Sequence, residues 1–209
     1  MSETQRSQSN PLALAVLSLL FERPMHPYEM ARTLREREKE QSIKLRFGSL
    51  YSVIDRLQQD GLIVAGERVR EGKRPERTVY HITDTGEAEM REWLRELVST
   101  PVKEYPQFEA ALSLLPVLPP DEAVEMLDVR LELLDAMIEE IDAKSERASE
   151  QGVPDLFMIE SEYRRAMLVC EVAWIKAMLE RMSDERWADV ELMEGIPTWR
   201  QMHEMREGD

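Results

Sequence analysis

The positions of proline and glycine in the first hundred residues limit this chain to a few helical folds. Pro11 and Pro27 stand where helices are expected to begin, because proline is well tolerated at the first helical position. Pro24 interrupts the apolar run between them, since proline disrupts a helix interior. Asn10 is a suitable N-cap for the first helix. The pattern therefore predicts a helix over residues 12–22, apolar on nearly all sides and central to a small domain.

A third helix, over residues 47–59, is predicted to be amphipathic. Its apolar side chains share one side of a helical wheel: Phe47, Leu50, Val53, Ile54 and Leu57. Gly61 is expected to end this helix in the left-handed conformation. Two β-prone stretches, residues 62–64 and 78–82, follow it and flank a basic loop with turn residues Gly72 and Pro75. Three helices followed by a basic hairpin, the wing, are typical of a winged helix-turn-helix.

The net charge of −15 is unevenly distributed along the chain. Sixteen basic and sixteen acidic residues precede residue 101, whereas eleven basic and twenty-six acidic residues follow it. Residues 41–77 contain eight bases and five acids, so this segment is suited to phosphate despite the acidic average. The acidic second half either orients the protein on DNA or serves solubility alone.

Three motifs resemble the PadR family of transcriptional regulators. Residues 47–63 read FGSLYSVIDRLQQDGLI, residues 26–30 read HPYEM, and residues 79–83 read VYHIT with Gly86 beyond them. The resemblance covers about residues 10–98. It implies a DNA-binding domain, a dimer made by C-terminal helices, and a repressor that a small aromatic or cationic effector releases. Asp55 departs from the lysine that relatives often have, and would either accept from a cytosine amino group or repel phosphate.

The third helix and the loops near it are the expected DNA contacts. From the helix we expect Ser49, Ser52, Arg56 and Gln59, with Tyr51 at the margin. Phosphate contacts are expected from Lys44 and Arg46 before the helix and from Lys73, Arg74 and Arg77 in the wing. For each base the alternative is a solvated surface charge. The expected partner is double-stranded DNA with a palindromic operator.

The second half is predicted to be a helical dimerisation domain over residues 105–182. A long helix beginning at Pro119–Pro120 and another over residues 154–182 carry apolar stripes at spacings of three and four. The residues assigned to dimerisation are Val124, Leu127, Leu131, Leu134, Ile138, Leu168, Val172, Ile175 and Leu179. The last helix has a second stripe of mostly small residues, so one neighbour is expected in the same chain and another in a homodimer partner. The alternative is an intramolecular bundle in a monomer.

Several aromatic residues are candidates for an effector pocket. Trp93, Tyr163 and Trp174 are named for this role, with core packing as the alternative. Residues 183–209 are expected to be a C-terminal tail whose Trp187 and Trp199 dock on the rest of the molecule. The predicted fold class is therefore mainly α, with an N-terminal winged helix-turn-helix, a two-stranded wing and a helical dimerisation domain.

Catalysis, cofactors and membrane insertion have no support in the sequence. The three histidines and the single Cys170 form no metal-ligand spacing, and phosphate-binding glycine loops and nucleophile motifs are not found. Cys170 lies in an apolar helical pattern and is expected to be a buried thiol in a cytoplasmic protein, with neither a secretory signal nor a membrane span. No enzyme activity is expected. The competing hypothesis is a winged helix that binds a protein instead of DNA.

Overall fold

The chain folds as two units, and helices dominate both. A computed structural model describes residues 10–44, 47–69, 77–189 and 196–207. The division lies after Glu104, giving an N-terminal unit, Met1–Glu104, and a C-terminal unit, Tyr105–Asp209. Within the described ranges, no helix has the length and apolar character needed to cross a bilayer. This mainly α architecture confirms the predicted fold class.

The N-terminal unit has the order helix, helix, helix, hairpin, helix. Its elements are α1 (Pro11–Glu22), α2 (Pro27–Glu36), α3 (Phe47–Gln59), β1 (Ile63–Val69), β2 (Arg77–Ile82) and α4 (Asp84–Ser99). The Asn10 side chain accepts a hydrogen bond from the backbone N–H of Leu12 at 3.1 Å, which confirms the predicted N-cap. Gly61 follows α3 with φ of +71°, the left-handed conformation predicted for it.

Helix α1 is the centre of the N-terminal core. Leu12, Val16 and Leu17 are at most 2% exposed. They belong to one apolar cluster with residues of α2, α3, β1 and α4. Truncating one of these leucines to alanine should lower the free energy of unfolding by about 2–5 kcal/mol, because it leaves a cavity. The cluster explains why α1 is apolar on nearly every side.

An ion pair connects the end of α1 with the end of α2. Arg37 Nη2 donates to Glu22 Oε2 at 2.7 Å, and Arg37 Nη1 donates to the other carboxylate oxygen. The hydrogen bond from Arg37 lowers the pKa of the Glu22 carboxyl below its usual range. Because both side chains are more than 40% exposed, the pair contributes about 1 kcal/mol or less to stability.

The two strands form an antiparallel sheet that is tied to the helices. Ile63 lies opposite Ile82 and Ala65 lies opposite Tyr80, with a shift of register between Ala65 and Arg68. Met25, between α1 and α2, exchanges two backbone hydrogen bonds with Tyr80, at 2.9 and 3.3 Å. Through Met25, the second strand of the wing is fixed to the same core that holds α3.

The C-terminal unit is built on two long helices. Its helices are α5 (Gln107–Ser113), α6 (Pro120–Glu150), α7 (Ile159–Met182) and α8 (Trp199–Glu207). The predicted start of α7 at Pro154 is wrong by five residues. Pro154 is extended, and Asp155–Phe157 forms a 3₁₀ turn before the α-helix begins.

Helices α6 and α7 pack side by side in antiparallel directions. Leu127, Leu134, Val172 and Ile175 are buried together, and the partly buried members of the same cluster include Leu131, Ile138, Leu168 and Leu179. Arg130 Nε donates to Glu171 Oε1 at 2.6 Å near one end. Arg165 Nη2 donates to Asp142 Oδ2 at 2.9 Å near the other. The predicted apolar seam is therefore filled within one chain.

The C-terminal tail docks at the beginning of α6. Trp199 is 4% exposed and clusters with Ala123 and Ala188. Its indole Nε1 donates to the backbone oxygen of Leu118 at 2.7 Å. The Trp187 ring meets the Trp199 ring edge-on at 5.8 Å. Docking through these tryptophans agrees with the expectation for the tail.

Candidate nucleic-acid interface

Helix α3 presents a polar side because its apolar side is held in the N-terminal core. Leu50, Ile54 and Leu57 are at most 1% exposed, and Val53 is 7% exposed. On the opposite side the exposed residues include all five predicted DNA contacts of the helix: Ser49, Tyr51, Ser52, Arg56 and Gln59. The packing that buries one side of α3 thus brings these five side chains onto one surface, which we call the α3 surface.

The predicted phosphate-binding residues flank the α3 surface along the chain. Lys44 is exposed, three residues before the helix begins. Arg77 is the first residue of β2, although its side chain is not described. The predictions for Arg46, Lys73 and Arg74 lie outside the described residues. Their roles remain predictions from sequence.

Two of the predicted contacts have partners within α3 or at its end. Arg56 Nε donates to Asp60 Oδ2 at 3.0 Å, and the guanidinium side chain is 61% exposed. Ser52 Oγ donates to the backbone oxygen of Gly48 at 3.0 Å. Exposed pairs of this kind are weak, so Arg56 can exchange Asp60 for a phosphate or a base at small cost. The i,i+4 spacing of Arg56 and Asp60 is the sequence signal for this pairing, which is absent from the predictions above.

Asp55 lies on the same surface, close to the wing. Burial raises the pKa of the Tyr80 hydroxyl, and the nearby Asp55 and Tyr51 raise it further. Asp55 also lines an open hollow of about 220 Å³ together with Gln58 and Gln59. Gln58 is absent from the predicted contacts, although its polar side chain one position before Gln59 is visible in the sequence.

The three candidate effector residues lie in different surroundings. Trp93 is 5% exposed in the N-terminal core, and its indole Nε1 has no hydrogen-bond partner among the described residues. Tyr163 and Trp174 are exposed on α7, by 67% and 45%. Core packing, the alternative reading of these residues, thus describes Trp93 but not the two residues on α7.

An aromatic and ionic cluster joins three helices of the C-terminal unit. The Phe108 ring on α5 meets the Trp174 ring edge-on at 6.2 Å. The Arg130 guanidinium carbon lies 3.7 Å from the centre of the Phe108 ring while Arg130 also binds Glu171. No local sequence pattern signals this cluster, because its members come from α5, α6 and α7.

The nine residues assigned to dimerisation are all buried or half-buried in the single chain. Leu127, Leu134, Val172 and Ile175 are buried against one another in one chain, so a second chain cannot touch them without opening the unit. The second stripe of α7 is exposed throughout: Tyr163, Ala166, Cys170, Ala173 and Ala177. Cys170 is therefore an exposed thiol in this chain, and the expectation of a buried thiol is wrong for the single chain.

The arrangement offers no metal centre within the part of the chain that the structure describes. No group of three or more histidine, cysteine, aspartate and glutamate residues in those ranges is placed to hold an ion. The chemistry that the α3 surface provides is hydrogen bonding by hydroxyl, amide, guanidinium and carboxylate groups.

Comparison with known proteins finds a family match within the N-terminal unit. Residues 16–92 match the model of the transcriptional regulator PadR-like family. No curated protein matches the chain. Among solved structures, Bacillus subtilis PadR in complex with operator DNA is 18% identical and superposes with a TM-score of 0.68, covering 83% of this chain and 99% of that one.

Two further structures give the same likeness. Bacillus subtilis PadR in complex with p-coumaric acid is 19% identical with a TM-score of 0.68, again over 83% and 99% of the two chains. A PadR-like transcriptional regulator from Bacillus cereus is 20% identical with a TM-score of 0.56, over 87% and 99%. At these identities the structures establish the shared fold. Residues 16–92 of this chain are thus similar to the PadR-like family of transcriptional regulators.

Proposed function

We propose that this protein is a sequence-specific, homodimeric DNA-binding transcriptional regulator. The observation that carries the proposal is the α3 surface, which presents five short or polar side chains while the opposite side of the helix is buried. B-DNA admits an α-helix into its major groove, where base edges are read by such hydrogen-bonding groups. The family match and the PadR structure with operator DNA support this use of the surface.

Phosphate contacts would fix the position of α3 in the groove. Lys44 lies just before the helix, and the wing begins two residues after Gly61. The bases predicted in the loop between β1 and β2 would add contacts that do not depend on DNA sequence. The first hundred residues have equal numbers of acids and bases, so their net charge does not oppose contact with phosphate. The net negative charge comes from the second half of the chain.

The experiment compares Arg56→Ala with Arg95→Ala on DNA from upstream of the protein's own coding sequence. Both arginines are exposed, and each pairs with a nearby carboxylate: Arg56 with Asp60, and Arg95 with Glu92. Arg95 is the control because it lies on α4 and not on the α3 surface. Fluorescence anisotropy at about 100 mM salt should show R56A binding roughly tenfold more weakly, as expected for a lost charged base or phosphate contact. R95A should bind like the wild type.

Two outcomes would contradict the proposed DNA binding. One is a wild-type protein that binds this DNA no better than a scrambled duplex of equal length. The other is an equal loss in R56A and R95A, which would show a general charge effect. Absence of any binding would favour the competing function, a winged helix that binds a protein partner.

The dimer is proposed to form through exposed apolar stripes on α6 and α7. On α6, Met126, Val129, Leu133 and Met137 are 43–62% exposed at spacings of three and four. On α7, Tyr163, Met167, Cys170 and Trp174 are exposed at the same spacings. Stripes of this kind are typical of helices that pack against a partner. We call the two stripes together the outer face.

The regulator is further proposed to be a repressor released by a small aromatic or cationic effector. The PadR structure with p-coumaric acid supports an aromatic effector. In this chain, Tyr163 and Trp174 offer exposed rings, and Trp93 has a buried N–H available for an acceptor. The same anisotropy assay tests this role, since an effector should lower the affinity for DNA.

A further inference from the structure

We propose that Asp55 is a base-reading residue that selects cytosine, an assignment that rests on the DNA-binding function proposed above. The recognition surface of a DNA-binding helix is expected to be neutral or basic, because phosphates repel carboxylates. An exposed aspartate in the middle of α3 therefore needs a hydrogen-bond donor on the DNA as its partner.

The position of Asp55 places it on the α3 surface. It is exposed, and it lies one helical turn after Tyr51 and one turn before Gln59. Asp55 lines the open hollow beside Gln58 and Gln59. Side chains spaced by four residues share one face of a helix, so Tyr51, Asp55 and Gln59 would meet neighbouring bases together.

The carboxylate of Asp55 is not committed to an ion pair with another described side chain. The nearest basic residue in sequence, Arg56, is bound to Asp60 at 3.0 Å instead. Asp60 thereby pairs with Arg56, the one base within α3, and no base among the described residues pairs with Asp55. This division gives the two acids of the segment different roles.

The major-groove edge of cytosine matches an ionised carboxylate, which accepts hydrogen bonds and donates none. Its polar group is the N4 amino donor, whereas adenine places the N7 acceptor next to its N6 amino donor. Guanine presents the N7 and O6 acceptors, and thymine presents the O4 acceptor with a methyl group. The acceptors of guanine and thymine would repel an ionised aspartate. Cytosine matches it better than adenine, because adenine places an acceptor beside its amino donor.

The test enriches random-sequence duplexes in parallel on the full-length wild type, on Asp55→Asn and on Asp60→Asn. The wild-type consensus should contain a cytosine that D55N replaces with adenine, because asparagine matches both N6 and N7 of adenine. D55N should also bind the wild-type consensus about tenfold more weakly, as for one mismatched base pair. D60N removes the same charge from the same segment, and it should keep the cytosine.

The outcomes separate this assignment from the proposed function. A wild-type consensus that D55N leaves unchanged would overturn the role of Asp55 and leave DNA binding intact. A shift that D60N produces equally would also overturn it, since charge alone would then explain the change. A wild-type protein that enriches no sequence would overturn both the assignment and the proposed function.

Discussion

The junction between β2 and α4 depends on two residues with distinct physical requirements. Thr83 accepts a hydrogen bond from the Gly86 N–H at 3.0 Å, and its hydroxyl donates to the backbone oxygen of Gly61 at 2.8 Å. Gly86 has no side chain where α4 passes the backbone of Leu62. A Cβ at Gly86 would lie 2.0 Å from the Leu62 oxygen. These contacts join the end of α3, the wing and α4.

Gly86→Ala should destabilise the N-terminal unit severely. The clash is with a backbone atom, which cannot rotate away, so we expect a loss of about 3 kcal/mol or more in the free energy of unfolding. Gly48→Ala is the matched control, because nothing lies within 4 Å of a Cβ there. Urea denaturation followed by circular dichroism measures both. Equal stability of the two variants would contradict the packing of Gly86 on Leu62.

At the residue scale, the sequence predicted features set by near neighbours. The N-cap at Asn10 and the left-handed Gly61 follow from residue type and adjacent pattern. The cluster of Phe108, Arg130 and Trp174 does not, because it is made by residues far apart in the chain. Which residues of the α3 surface touch DNA stays a prediction, although the surface itself follows from the apolar spacing of the helix.

At the scale of elements, the apolar spacing of α6 and α7 predicted a packed seam but not its partner. A stripe at spacings of three and four fits a helix of the same chain or of another chain equally well. The structure fills the seam of α6 with α7 of the same chain. The outer face, which the seam pattern does not include, is exposed in the single chain and is the surface proposed to pair with a second copy.

Leu133→Glu should dissociate the proposed dimer without unfolding the chain. Leu133 is 62% exposed on the outer face, so a charge there costs little in one chain but is repelled from an apolar interface. We expect the dimer to weaken at least roughly tenfold, as for the loss of an interface anchor. Sedimentation velocity at micromolar concentration measures this, with the adjacent Glu132→Gln as the control. A wild-type protein that sediments as the 24.4 kDa monomer would contradict the dimer.

At the scale of the whole molecule, the distribution of charge along the chain agrees with the DNA-binding role proposed for the N-terminal unit. The charge-balanced first hundred residues contain the α3 surface and the segment richest in bases, and the second half has all of the net negative charge. Phosphate repels the acidic half and attracts the basic segment, so each chain would approach DNA through α3. Pairing through the outer face would then present two copies of α3, as a palindromic site requires.

Dimethyl sulfate protection on an enriched duplex tests this account most directly. The reagent methylates guanine N7, which lies in the major groove where α3 is proposed to bind. The account predicts two protected tracts separated by one helical turn, about 10 base pairs, or a multiple of it. Leu133→Glu should weaken both tracts together. Protection of a single tract, or a bound duplex whose guanines all react freely, would contradict a pair of α3 helices in the major groove.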